Sequence, residues 1–255
     1  MENSKNLRVI FPQNGVASIS WWLLSNLIFL VMIEGEFTGK IVEGVRDGKG
    51  SLKWSNGDEY VGSFKNGLRH GRGILRETSG RVYDGQWLLS MKDGRGREEW
   101  PNGDIYVGAY QRDKHHGQGE MITKGGKYNG NYKENFKDGL GSMSFANGCR
   151  YEGMWSLGRM HGKGLYIWPD GRRYEGEWSK GERHGAGIST QPNGERHDGL
   201  YAHNQKQGPG WWRFSSGKVR PGEWRDDKLQ RWTGPEQFEA QMKAKRLLKQ
   251  KNISK

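Results

Sequence analysis

The sequence predicts an all-β protein, an elongated antiparallel sheet of stacked β-hairpins with a short C-terminal helix. Three observations predict it: an unusual composition, a repeat of fixed length, and a period-two alternation inside each repeat. The 255 residues include 41 glycines, 12 tryptophans, 10 tyrosines and 8 phenylalanines, yet only 33% are hydrophobic. A two-layer enzyme domain needs longer aliphatic runs to build its core. A disordered chain would lack so much aromatic surface to bury.

Aligned on an aromatic-x-Gly-x-aromatic start, repeats begin at Phe37, Tyr60, Tyr83, Tyr106, Tyr128, Tyr151, Tyr174 and His197, and a partial ninth begins at Arg220. The step is 23 residues, shortened to 22 in the fourth repeat. Position 3 is glycine in every repeat (Gly39, Gly62, Gly85, Gly108, Gly130, Gly153, Gly176, Gly199, Gly222), and positions 12, 14 and 21 are glycine in all eight complete ones. The repeat therefore accounts for the composition, and it sets the architecture.

In the first half of a repeat, as in Tyr151-Glu-Gly-Met-Trp155 or Tyr174-Glu-Gly-Glu-Trp178, apolar and polar residues alternate as in a strand with one apolar face. The glycine between the two aromatics leaves room for a ring from the next strand. Residues 179–184 then read as a polar turn, and Gly185-Ala-Gly187 opens a second strand. Pro-Asn-Gly or Pro-Asp-Gly segments at 101–103, 169–171 and 192–194 close the repeat with turn chemistry. A single hairpin is marginal in water, so successive hairpins must stack to bury their aromatic faces. At ~4.8 Å per strand, eight repeats predict a rod of roughly 80 Å with a long surface and no deep cavity.

These residues resemble the MORN repeat (membrane occupation and recognition nexus), through Tyr151-Glu-Gly-Met-Trp155, His161-Gly-Lys-Gly164 and Pro169-Asp-Gly171 and through the repeat that follows from Tyr174. The resemblance covers residues 37 to about 224. It implies a mostly single-layer antiparallel sheet and a role as scaffold, tether or interaction module. Family members occur in ciliary radial spokes, junctional membrane tethers and apicomplexan cytoskeletal complexes, and beside lipid-kinase or methyltransferase domains. Ile41, His197 and Arg220 depart from the aromatic columns at the two ends of the array.

The chain carries a formal net charge of +12, which favours anionic partners without choosing among them. Position 10 is basic in six repeats, at Arg46, Arg69, Lys92, Lys137, Arg183 and Lys206. Stacking would align these six into a cationic turn edge, read either as a solvated rim or as a rail for inositol lipids or acidic filament tails. Position 13 adds Lys49, Arg72, Arg95 and Lys163. Nucleic acid is disfavoured, because the aromatics are committed to packing between hairpins and cannot also stack on bases. Position 11 reads Asp47, His70, Asp93, His116, Asp138, His161, His184 and Gln207. Equivalent positions ~10 Å apart are too far to ligate one metal ion without leaning together. Hydrogen bonding at the turns is the expected role. No catalytic motif, cofactor or metal site is expected, and the lone Cys149 fits a reducing compartment.

The chain divides into an N-terminal segment (1–36), the repeats (37–224) and a basic tail (225–255). Residues 16–33 are uncharged and largely apolar, just long enough to span a bilayer as a helix. Three readings stand for this stretch: a membrane anchor, an inserted or spliced piece, and a docking helix or cap. Deleting residues 16–34 would join Gly15 to Gly35-Glu36-Phe37 and heal the repeat junction. Two basic residues before the stretch against four after it favour repeats in the cytosol. In the tail, Thr233-Gly-Pro-Glu236 reads as a capping box that starts a helix, to cap the sheet edge near Trp224 and Trp232 or to bind an acidic partner.

The expected function is a non-catalytic scaffold organising protein partners on a cytoskeletal assembly such as a ciliary or flagellar axoneme, in the cytoplasm, cytoskeleton or cilium. The axonemal setting comes from the resemblance alone. The alternatives are a membrane-associated tether that binds acidic phospholipids and a regulatory subunit of a lipid kinase or other enzyme.

Overall fold

A computed structural model describes residues 35–240 and Lys243. The apolar stretch 16–33, almost all of the N-terminal segment and most of the tail beyond 240 lie outside the described residues. The chain divides into two compact units, Met1–Lys124 and Gly125–Lys255, with the boundary inside the 22-residue repeat. In the first unit the strands are β1 (Gly35–Val42), β2 (Val45–Trp54), β3 (Glu59–Lys65), β4 (Leu68–Arg76), β5 (Val82–Leu88), β6 (Met91–Glu99), β7 (Ile105–Gln111) and β8 (Lys114–Thr123). In the second they are β9 (Gly126–Lys133), β10 (Phe136–Phe145), β11 (Arg150–Ser156), β12 (Arg159–Ile167), β13 (Arg173–Ser179), β14 (Glu182–Thr190), β15 (Arg196–Ala202), β16 (Gln205–Arg213), β17 (Val219–Arg225) and β18 (Lys228–Trp232). Within each unit every strand pairs antiparallel with the next in sequence.

The turn within each hairpin is shorter than expected. Residues 179–184 hold a two-residue turn, Lys180–Gly181, flanked by β13 and β14. Both turn residues have positive φ, as do Leu89–Ser90, Arg112–Asp113 and His203–Asn204. That is the type I′ pattern, whose twist matches the strands it joins. The second strand then bulges, since Gly62 faces Gly73 while Phe64 faces Arg69. The bulge places position 12 at positive φ (Gly71 at 67°, Gly162 at 60°), which is why that column is glycine.

The ring over the position 3 glycine comes from its own strand, not from the next one. Tyr60 folds across Gly62 and Gly73, where an added Cβ on Gly62 would sit 2.5 Å from the Tyr60 hydroxyl. That hydroxyl donates to the Ser63 carbonyl at 3.0 Å, and Tyr83, Tyr106, Tyr128, Tyr151 and Tyr174 make the same bond three residues on. The sequence could not choose between the two sources, because both place a ring over a glycine. The Tyr side chain reaches its own glycine because the facing position is glycine as well.

The C-terminal segment also departs from expectation. Residues 228–232, assigned to the helical tail, form β18 and pair with β17, completing a ninth hairpin. Helix α1 (235–240) follows, and Lys243 is helical too. Pro235 is its first residue, so Gly234 occupies the cap position and the buried Thr233 hydroxyl makes no hydrogen bond. The helix lies on a face of the sheet: Phe238 is buried against Trp211, with ring centroids 4.7 Å apart.

Candidate partner-binding faces

Positions 1, 3, 5, 10, 14 and 16 point to one face of the sheet, and positions 2, 4, 13, 15 and 17 to the other. On the first face the aromatics of each unit form an edge-to-face zipper. In the first unit it runs Phe37, Phe64, Tyr60, Trp87, Tyr83, Tyr110, Tyr106, with centroids 5.0–5.5 Å apart. In the second it runs Tyr132, Tyr128, Trp155, Tyr151, Trp178, Tyr174, Tyr201, His197, Trp224. Each such pair adds about 0.5–1.5 kcal/mol beyond its area burial. The indoles are also hydrogen-bonded: Trp87, Trp155 and Trp178 donate to the carbonyls of Gly73, Gly141 and Gly164 in the preceding repeat. Gly85, Gly108, Gly130, Gly153 and Gly176 keep this face thin in the manner of Gly62.

The six position 10 cations are part of this zipper and do not form a turn edge. They lie in the second strand of each hairpin, half-buried or buried, with their charges over rings. Arg69 sits 4.1 Å from the Trp87 ring, Lys137 over Tyr128 and Trp155, and Lys206 over Trp212. Arg46 covers Phe37 and Phe64, Lys92 covers Tyr83 and Tyr110, and Arg183 covers Tyr174 and Tyr201. The arginines also donate to a carbonyl in the next turn, Arg46 to Gly67 at 3.1 Å, Arg69 to Ser90 at 2.9 Å, and Arg183 to Asn204. Burial lowers the proton affinity of Arg46, Arg69, Lys137 and Lys206. The physical reason is the two-residue turn, which sets position 10 directly across from the ring at position 5, as Arg69 from Phe64 and Arg183 from Trp178.

The Asp and Gln members of position 11 serve the turns. Asp47, Asp93 and Gln207 accept hydrogen bonds from the backbone N–H of Asn66, Arg112 and Asp226, at the first turn residue of the following repeat. Among the described residues no group of three His, Cys, Asp or Glu side chains is placed to hold a metal ion.

Two buried polar clusters are built into the zipper, and sequence reasoning missed both. In the first unit Glu98, 1% exposed, accepts from Lys92, Arg81 and, at 2.7 Å, the Tyr110 hydroxyl. Burial alone would raise its pKa. Hydrogen bonding and charge from Lys92, then Tyr110 and Arg81, hold it below the ordinary carboxylate value. In the second unit the Tyr201 hydroxyl donates to Ser189 at 2.8 Å and meets His197 Nδ1 at 2.9 Å. Burial, reinforced by Lys206, lowers His197 to about 3, so its ring is neutral. The signal was in the alignment. Position 16 is otherwise apolar or aromatic, and its two polar members, Glu98 and Ser189, each precede a repeat with Tyr at position 5, Tyr110 and Tyr201.

The opposite face differs between the units. In the first, Lys49, Arg72 and Arg95 occupy position 13 of successive repeats, all exposed, joined by Lys40, Lys53 and Arg76. The Arg72 side chain is 82% exposed, with only a loose 3.7 Å pairing to Asp84. In the second, the same columns hold Leu140, Met154, Leu165, Ala186, Ile188, Leu200 and Trp211, interleaved with Glu152, Glu175, Glu177 and Asp198. Leu140 is 64% exposed. An open groove of about 890 Å³ lies on this face between Ala186, Leu200 and Trp211 of the sheet and Phe238, Ala240 and Lys243 of the helix. Among the described residues no helix is long and apolar enough to cross a membrane.

The family model described as MORN repeat matches this chain at residues 37–59, 60–80, 83–105, 106–127, 128–150, 151–172, 174–196 and 197–219. A comparison with curated proteins returns no match. Among solved structures, the wild-type TCP10 domain of Danio rerio CPAP is similar at 13% identity, covering 78% of this chain and 94% of that one, with a TM-score of 0.42. The SAS-4 (dCPAP) TCP domain of Drosophila melanogaster, solved with a proline-rich motif of Ana2 (dSTIL), is similar at 10% identity, covering 75% and 99%, with a TM-score of 0.39.

Proposed function

We propose, for a chain that belongs to the MORN repeat family and is thus a repeat-based interaction protein, that it is a non-catalytic scaffold holding acidic segments of a cytoskeletal assembly such as an axoneme. The observation that carries this reading is the exposed column Lys49, Arg72 and Arg95 on the face opposite the rings. Cations repeated at ~10 Å on a flat, aromatic-free surface suit an extended acidic segment. The position 10 cations do not compete for that role, being engaged with rings and turns. The axonemal setting rests on the family resemblance.

The same column fits acidic phospholipids, which is the tether reading, and each exposed cation near such a surface contributes about 1 kcal/mol. Co-sedimentation separates the two. The variant Lys49→Gln, Arg72→Gln, Arg95→Gln and the wild type are spun with filaments bearing acidic tails and with anionic vesicles, across a salt series. Filament binding that is lost in the variant supports the scaffold. Binding confined to vesicles supports the tether, and wild-type binding of both targets by the variant overturns the role of this face.

A further inference from the structure

The groove beside α1 marks where a segment already lies on the second unit's outer face. Phe238 packs on Trp211 of β16, and Phe238, Ala240 and Lys243 line one groove with Ala186 of β14, Leu200 of β15 and Trp211, so the helix borders a path along the sheet from β16 to β14. Beyond Ala186 that path meets Glu175 and Glu177 on β13, Lys163 and Leu165 on β12, Glu152 and Met154 on β11, and Leu140 on β10. Lys163 stands opposite Glu177 in register, while Glu175 lies between Leu165 and Ile188, and Glu152 between Leu165 and Ser142. The surface thus changes along the path from apolar and aromatic to acidic.

The chain that follows changes in the same order. At helical spacing Phe238, Met242, Lys245 and Lys249 share one face, being four, three and four residues apart. Twelve residues remain after Lys243. As helix they reach ~18 Å, or about four strand spacings of ~4.8 Å, the distance from β14 to β10.

We propose that residues 244–255 are the occupant of this face, docking across β13 to β11 with Lys245 and Lys249 against Glu175, Glu177 and Glu152. Docking covers Leu165 and Met154, and it makes the second unit's outer face one that a partner must compete for.

Zero-length carbodiimide cross-linking of the full chain, read by peptide mass spectrometry on the monomer fraction, tests this. Links from Lys245 and Lys249 to Glu152, Glu175 or Glu177 are expected. They should fall at least ten-fold in the variant Lys245→Glu, Lys249→Glu, or when the three glutamates are changed to Gln. Neither variant touches the ring layer, and unchanged thermal unfolding serves as the folding control. A cross-linker of lysine to cysteine with Glu175→Cys in a Cys149→Ser background gives a second readout, expected to capture Lys245 or Lys249. Links found only between two copies, links spread evenly over remote carboxylates such as Asp170 and Glu195, or failure of both cross-linkers overturns the proposal.

Discussion

The two units solve the same local problem differently. With Trp87, Trp155 and Trp178 at position 5, the indole N–H reaches a glycine carbonyl of the preceding repeat and the zipper satisfies itself. Tyr110 and Tyr201 at position 5 lack that N–H, and their hydroxyls turn to position 16 of the preceding repeat. The first unit meets Tyr110 there with a carboxylate, Glu98, which then requires Lys92 and Arg81. The second meets Tyr201 with a hydroxyl, Ser189, and adds a neutral histidine. At Tyr110 and Tyr201 the change at position 5 is thus met by a polar residue on the adjacent strand, and the charged solution binds more of its surroundings than the neutral one.

The largest expected effect separates those solutions. Glu98→Leu, which installs the residue found at positions 52 and 75 of the same column, leaves a buried Lys92 without its counter-ion and should cost about 3–5 kcal/mol. Ser189→Ala should cost about 1 kcal/mol. Adding Tyr110→Trp to Glu98→Leu restores the common pairing and should recover part of the loss. Denaturant unfolding measures all three, and equal losses for the two single variants would erase the distinction drawn here.

Next comes a contrast between the two faces within one unit. A Cβ on Gly153 would lie 2.5 Å from the Gly164 Cα and 2.7 Å from the Tyr151 hydroxyl. Gly153→Val should therefore cost at least about 1–3 kcal/mol through overpacking. Lys163→Val, on the outer face, should change stability by no more than about 0.5 kcal/mol. Similar melting temperatures for the two would contradict the thin ring face.

The pH response sharpens the comparison further. Burial lowers His197 to about 3 and His115 to about 4. The unfolded chain therefore takes up these protons first, and stability, full above about pH 6.5, falls as the pH drops toward the folded values. Each histidine contributes up to about 1.4 kcal/mol per pH unit. The depressed Glu98 acts in the same direction at lower pH, its stabilisation being lost as the carboxylate protonates. His197→Tyr, the residue of six other repeats, should flatten the response of β15 and β16 in native-state hydrogen exchange and leave that of β6 to β8 intact. An unchanged slope in β15 and β16 would show that His197 is not the titrating group.

The smallest effect separates two neighbouring arginines of the first unit. Arg69→Gln removes a charge from the Trp87 ring and a bond to Ser90, and should cost about 1–2 kcal/mol. Arg72→Gln removes an exposed charge and should cost less than about 0.5 kcal/mol. Thermal unfolding of both variants checks the assignment of position 10 to the zipper and position 13 to the surface.

The repeat, its hairpin unit and the aromatic face were determined by the sequence alone, because a period of 23 residues carrying period-two alternation admits few other packings. The turn partners of position 11 were also legible, since short polar side chains beside turns bond to backbone. The tertiary structure decided the direction of position 10. The two-residue turn sets position 10 directly across from the ring at position 5, as Arg69 from Phe64, so a column that reads as a polar turn edge points into the rings. It likewise decided which ring covers each glycine and on which face α1 lies, because those outcomes depend on side-chain reach between strands. Glu98 and Ser189 stand between the two cases. Each is visible as a polar residue in an apolar column, but its meaning depends on a tyrosine hydroxyl that only strand pairing brings within 3 Å.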